Sequence, residues 1–195
     1  MQFFGDLPVR TAVALHHYHG PLLAGQTVDG LAQTPVDIAA FDILGQRVVL
    51  LLAELGDAVL IYTEKAKREN IHIIYQEPEM LPFVYGDKNR IRQVFINVID
   101  NAIKYSAPGG RITVKLWAGE YKAFIELIDQ GRGIPPEDLE NVKTKFYKGS
   151  NSVRGSGIGL ALVDSIMTAL DGTMDIKSTL GRGTVVTLGL PLYKK

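Results

Sequence analysis

The sequence predicts an α/β protein, a two-layer sandwich in which helices cover one face of a mixed sheet. Three observations predict it. From about residue 53 the hydrophobic period switches repeatedly between that of a helix and that of a strand. The elements run helix, strand, helix, strand, strand, loop, helix, strand, strand, which departs from the strict βαβ alternation of a doubly wound parallel sheet. The later strand pairs are joined by turns too short for a crossover, so they are antiparallel and the helices gather on one side.

Residues 1–52 read as an N-terminal extension and residues 53–195 as the α/β domain. In the extension Gly5, Gly20, Gly25, Gly30 and Gly45, with Pro8, Pro21 and Pro35, interrupt every long helix. Short elements fit there, such as Val9–His17 and Ile38–Leu52. Residues 53–69 then read as a helix with a charged end, and Ile71–Tyr75 as a strand. Asp87 is an N-cap before a helix to Tyr105, where Ile91, Val94, Phe95, Val98, Ala102 and Ile103 repeat at i, i+3, i+4 and i+7. Pro108, Gly109 and Gly110 end it. Ile112, Val114 and Leu116 alternate with Thr113, Lys115 and Trp117 as a half-buried strand. Gly119 and Glu120 turn it into the strand Tyr121–Ile128. A loop takes residues 131–156, a helix 158–170, and two strands 173–178 and 183–190, with Gly181 and Gly183 at their turn.

Composition narrows the function classes. The 195 residues are 46% hydrophobic and 22% charged, with no net charge, so nothing global points to nucleic acid or a membrane surface. The absence of cysteine removes thiolate catalysis and Cys-based zinc sites and is compatible with a cytoplasmic setting. The longest apolar stretch, Val48 to Tyr62, is interrupted by Glu54 and Asp57 and falls short of the ~20 residues of a membrane span. The start, Met1 to Asp6, lacks the basic residues and cleavage site of a signal peptide.

Three blocks carry chemistry. On helix 87–105, Asn97, Asn101 and Lys104 share a stripe away from the apolar one. Two amide oxygens and an ammonium suit Mg²⁺ and phosphate oxygens, since Mg²⁺ takes hard oxygen donors and keeps waters and substrate phosphates. A solvated helix face shows the same residue types. Asp129 ends a strand before Gly131 and Gly133. Its carboxylate can accept from an adenine amino group, with glycine backbone close to a flat base, although an Asx turn uses the same residues. Gly155, Gly157 and Gly159, with Leu160, precede a helix whose N-terminal amides suit phosphate, or they form a flexible connector. The glycine spacing is not that of a Rossmann turn, and no P-loop occurs.

Taken together the blocks resemble the ATP-binding domain of sensor histidine kinases, within the wider GHKL superfamily and its Bergerat fold. The resemblance covers about residues 53–192. Asn97 to Tyr105 is similar to the N box, Asp129 to Gly133 to the first glycine box, Phe146–Lys148 to the F box of the ATP lid, and Gly155 to Leu160 to the second glycine box. Gly181, Gly183 and Thr184, before a strand ending Leu190-Pro191, resemble the closing motif. The resemblance implies ATP and Mg²⁺ as cofactors, with Asn101 as principal metal ligand and Asn97 near the metal or its water. It implies phosphate contact by Lys104, packing of Tyr105 beside adenine, and reading of the adenine amino group by Asp129, with Thr184 helping through its hydroxyl and a water. Lys148 and Arg154 become candidates for γ-phosphate contact, or belong with Lys143 and Lys145 to a solvated basic loop. Hydrolytic branches of the superfamily, and its serine kinases, resemble one another in carrying Glu where this chain has Asn97. An amide cannot take a proton from water at neutral pH, whereas a histidine acceptor needs no strong base.

The phosphoacceptor hairpin of a complete histidine kinase is not evident. His16 and His17, followed by His19, Pro21 and Leu22, imitate its spacing with His16 as acceptor. His17, however, stands where an acidic residue is expected, and Gly20, Gly25 and Gly30 would each cost ~1 kcal/mol in a long helix. The expected partners are therefore ATP, a His-bearing dimerisation domain or chain and, indirectly, a response regulator. No nucleic acid and no membrane contact are expected. A non-catalytic nucleotide-binding module and a GHKL serine kinase or ATPase are the competing readings.

Overall fold

A computed structural model of the chain describes residues 48–76, 78, 80–147 and 157–193. The proposed elements at Val9–His17, most of Ile38–Leu52, and His16 lie outside the described residues. Strand β1 (Val48–Leu50) runs directly into helix α1 (Leu51–Arg68). Strands β2 (His72–Gln76) and β3 (Phe83–Tyr85), helix α2 (Lys88–Tyr105), strands β4 (Arg111–Ala118) and β5 (Lys122–Asp129), and the short helix α3 (Pro136–Leu139) follow. Helix α4 (Gly159–Ala169) and strands β6 (Thr173–Thr179) and β7 (Gly183–Pro191) complete the chain.

The main sheet has the order β2-β4-β5-β7-β6 and is mixed. β2 and β4 are parallel, and every other pair is antiparallel. Alternation assigns its faces. Ile112, Val114 and Leu116 of β4, Ala123, Ile125 and Leu127 of β5, Met174 and Ile176 of β6, and Val186, Leu188 and Leu190 of β7 are buried. They share one core with Leu51, Leu55 and Ala58 of α1, Ile91, Phe95 and Ile99 of α2, and Val163 and Ile166 of α4. On the opposite face the paired residues Trp117 and Phe124 stack, ring centroids 5.5 Å apart.

Asp87 caps α2 as its sequence position implies, its carboxylate accepting from the N–H groups of Asn89 and Arg90 at 2.9 and 3.2 Å. Charged pairs lock α1 to α2. The buried Glu54 is 2.8 Å from Arg92, which also meets Asp57 at 2.7 Å, and Lys65 meets Asp100 at 2.5 Å.

Three details correct the sequence reading. Residues 48–52 read as the end of a short element in the extension, yet Val48–Leu50 form a strand and the helix starts at Leu51, ahead of residue 53. The reason is β3, an element absent from the sequence reading, which pairs antiparallel with β1. Val49, Leu51 and Leu52 consequently belong to the core of the α/β domain. Finally, part of the loop 131–156 is helical at α3, where Pro136 begins a turn and Asp138 is buried.

Candidate nucleotide site

Residues at the C-terminal ends of α2 and β5 are brought together by backbone. The N–H of Arg132 donates to the carbonyl of Tyr105 at 3.1 Å, so the chain leaving β5 lies on the last turn of α2. A Cβ at Gly131 would collide with that Tyr105 carbonyl and come 2.8 Å from the Asp129 carboxylate. Only glycine fits there.

Asp129 is 9% exposed. Its Oδ1 accepts from the N–H of Gly131 at 2.8 Å and of Thr184 at 3.2 Å. The first contact is the Asx turn; the second ties β5 to the start of β7, 55 residues away. Both bonds favour the carboxylate, but burial dominates and pushes the pKa above the usual carboxylate range. Among the described residues both bonds use Oδ1, which leaves Oδ2 to accept from a ligand.

The stripe on α2 faces the start of α4. Asn97 Nδ2 donates to the Gln93 carbonyl at 2.7 Å, which turns Oδ1 outward. A Cβ at Gly159 would lie 3.3 Å from Asn97 Oδ1, 3.5 Å from Asn101 Nδ2 and 3.9 Å from Asn101 Oδ1, so both side-chain amides border the place where the first turn of α4 begins. Asn97, Asn101, Lys104, Tyr105, Gly159 and Leu160 are all half-buried, unlike a freely solvated helix face. Among the described residues no group of three His, Cys, Asp or Glu side chains could hold a metal. A cation at this place would rest on hard amide oxygens plus phosphate and water, a donor set that fits Mg²⁺.

Sequence reasoning missed three residues. Arg132 lies over the Tyr105 ring at 5.3 Å, and Lys104 Nζ approaches the same ring at 4.9 Å. Lys143 is no solvated loop cation: its ammonium donates to the Met174 carbonyl at 2.6 Å and sits 3.7 Å from Asp164. Ser178 joins three backbone and side-chain groups from the Gly133 turn and the start of β7. A basic residue between two glycines was the available signal for Arg132; the other two had none.

Just ahead of residue 148, Tyr147 donates its hydroxyl to the buried Asp138 at 2.6 Å, which raises the phenol pKa. Phe146 is 71% exposed and has a φ of 65°. Gly133, with a φ of 69°, packs on the Thr179 carbonyl. Lys148, Arg154 and Gly155 lie outside the described residues.

The structure thus holds a buried carboxylate fixed by two amides at the end of β5, and paired asparagines beside a glycine-led helix start. The model for the histidine kinase-, DNA gyrase B-, and HSP90-like ATPase family matches residues 86–194. The chain belongs to this family. Among curated members it is similar to the adaptive-response sensory kinase SasA of Synechococcus elongatus, 36% identical over 134 residues. That match takes 67% of this chain and 35% of SasA. The sensor histidine kinase WalK of Bacillus subtilis is 34% identical over 138 residues, 68% of this chain and 22% of WalK. The chain thus spans about a third or less of these two relatives. Among solved structures, a mycobacterial sensor histidine kinase MprB superposes with a TM-score of 0.67 at 27% identity, covering 77% of this chain and 99% of that one. The catalytic domain of the histidine kinase ThkA shares the fold, with a TM-score of 0.67 at 24% identity and 75% of this chain covered. Among the described residues no helix is long and apolar enough to cross a membrane.

Proposed function

We propose that this chain is the catalytic domain of a two-component histidine kinase in the cytoplasm, which binds Mg·ATP and passes the γ-phosphoryl group to a histidine on another domain or polypeptide. The observation that carries this reading is the buried Asp129 at the end of β5, tied by the Arg132–Tyr105 backbone bond to the helix that bears Asn97 and Asn101, within the family fold. Asp129 accepts from the adenine amino group through Oδ2, and Gly131 and Gly133 let backbone approach the base. Tyr105, braced by Arg132, packs beside it, and Thr184 assists through its hydroxyl.

Asn101 and Asn97 hold the metal side of the triphosphate, and Lys104 neutralises phosphate charge. Bound Mg²⁺ would supply charge neutralisation on the phosphates. The protein's own work is positioning and electrostatics, with no covalent chemistry. Phe146, Gly157 and Leu160 flank the lid, whose Lys148 and Arg154 are assigned to the γ-phosphate and whose Gly155 belongs to the glycine-rich phosphate cover. The amide of Asn97 offers no base to water, so transfer to a nucleophilic imidazole is favoured over hydrolysis.

The test is incubation of the chain with γ-labelled ATP, with and without a separately purified His-bearing dimerisation hairpin. Acid-labile, alkali-stable label is expected on the hairpin and not on the chain. Tight ATP binding without label on any hairpin tried would favour a non-catalytic nucleotide module. Phosphoserine on a partner would favour a serine kinase. Label on the chain itself that vanishes in His16→Ala would make residues 1–52 a working acceptor segment.

A further inference from the structure

The ring of Tyr105 carries two cations. The ammonium of Lys104 lies 4.9 Å from its centroid and the guanidinium of Arg132 lies 5.3 Å from it. Lys104 shares the α2 stripe with Asn97 and Asn101 and is assigned to phosphate. Arg132 comes to the same ring from the turn after β5, and bracing Tyr105 leaves its charge without a role.

Backbone fixes where that charge starts. The Arg132 N–H donates to the Tyr105 carbonyl at 3.1 Å, and the Arg132 carbonyl accepts from the Gly181 N–H at 2.7 Å. On either side, a Cβ at Gly131 would lie 2.3 Å from the Tyr105 carbonyl oxygen, and one at Gly133 would lie 2.1 Å from that of Thr179. The turn Gly131–Gly133 can therefore present one side chain, the exposed Arg132.

A guanidinium stays charged at every working pH. Two cations that each end about 5 Å from one centroid lie within roughly a screening length of each other, ~10 Å at 0.1 M salt. An anion that meets Lys104 therefore also feels Arg132. The ring attracts each cation but offsets only part of the repulsion between them, which a polyanion relieves.

We infer that Arg132 is a second cationic binding residue at the phosphate end of the site, paired with Lys104 through Tyr105, and that it grades affinity by the number of phosphate charges. This rests on the reading of Lys104 as the phosphate cation of a nucleotide site. ATP gains more from Arg132 than ADP does, and ADP gains more than AMP. The same gradient favours exchange of a spent diphosphate for a fresh triphosphate.

The experiment measures binding of ATP, ADP and AMP to the full chain by competition calorimetry, in chelator, at low and at high KCl. Arg132→Gln removes the charge. Arg132→Met removes it too but keeps an apolar stem to pack on Tyr105. Both are expected to weaken ATP about three- to tenfold at low salt, ADP less and AMP least, with smaller losses at high salt. Arg132→Lys is expected to keep most of the ATP-to-AMP ratio. A residue that only braced Tyr105 would act through the base, which all three ligands share. An equal loss for the three ligands, or no loss, in whichever charge-removing variant folds, overturns this inference alone. Lys104→Gln is the control. If it leaves the ATP-to-AMP ratio unchanged, or if wild type binds no ATP, the phosphate-end reading falls and this inference with it.

Discussion

The backbone N–H of Phe146 donates to the carbonyl of Gly157 at 2.9 Å, so the two flanks of residues 148–156, the proposed lid, are bonded to each other.

Gly157→Ala is expected to break this clasp. Gly157 has a φ of 70°, and a Cβ would lie 2.6 Å from the Tyr147 carbonyl and 2.9 Å from Phe146 C. The substitution is expected to cost about 1–2 kcal/mol of stability and to weaken Mg·ATP binding. Thermal melting and calorimetry read the two effects. Unaltered affinity would show that the lid works without its clasp.

Asp129→Asn keeps an Oδ1 acceptor for Gly131 and Thr184 but places an amide NH₂ where Oδ2 meets the adenine amino group. ATP affinity is expected to fall about ten- to a hundredfold, or about 1.5–3 kcal/mol, with circular dichroism unchanged. Equal ATP affinity would remove Asp129 from the base contact.

ATP affinity is expected to depend on pH through the same residue. Burial raises the Asp129 pKa, so folding favours its protonated form; that contribution to stability is present in acid and lost as pH rises through the folded pKa. Binding has the opposite sign, because the amino group needs the carboxylate. Affinity should therefore drop on acidification before ordinary carboxylates titrate, with proton release on binding in that window. Calorimetry in two buffers of different ionisation enthalpy measures it, with Asp129→Asn as control. Identical profiles for mutant and wild type would assign the step elsewhere.

Asn101→Ala is expected to weaken binding of Mg·ATP far more than binding of ATP in chelator, as loss of an oxygen ligand requires. Asn97→Glu supplies a base beside the same place and is expected to raise slow hydrolysis modestly. Phosphate release assays and binding with and without Mg²⁺ decide both. Equal weakening under the two conditions would move the metal away from Asn101.

Arg92→Met tests the helix pairing. It strips the buried Glu54 of its 2.8 Å partner, leaving Lys88 at 3.4 Å. A loss of about 3 kcal/mol is expected, measured by urea unfolding. A neutral result would mean that Lys88 alone compensates the carboxylate.

Helix α2 and strands β4 and β5 were legible because their signals are local: an N-cap, a 3.6-residue stripe and clean alternation. The pairing of Asp129 with the start of β7 at Thr184, and of Asn97 and Asn101 with the start of α4, was legible only as ordered blocks. β1 and β3 were not, because each has three residues and depends on distant partners: they pair with each other, and Val84 of β3 also bridges to Leu192. The apolar run Val48–Leu52 carries no alternation to mark where strand gives way to helix. Ser178 and Lys143 act through bonds to Ile134 and Met174, 44 and 31 residues away, and no local pattern announces a contact of that range.

The single parallel pair of the main sheet, β2 with β4, obliges the chain to cross back over the sheet between them, and α2 is the helix in that crossover. The helix that carries Asn97, Asn101 and Lys104 is thus also the covalent bridge to an edge strand. Grip on the ligand and integrity of the sheet edge are mechanically in series. A circular permutant cut between α2 and β4 would turn that bridge into a chain terminus, leaving the β2 edge without its tether and the site helix free to fray.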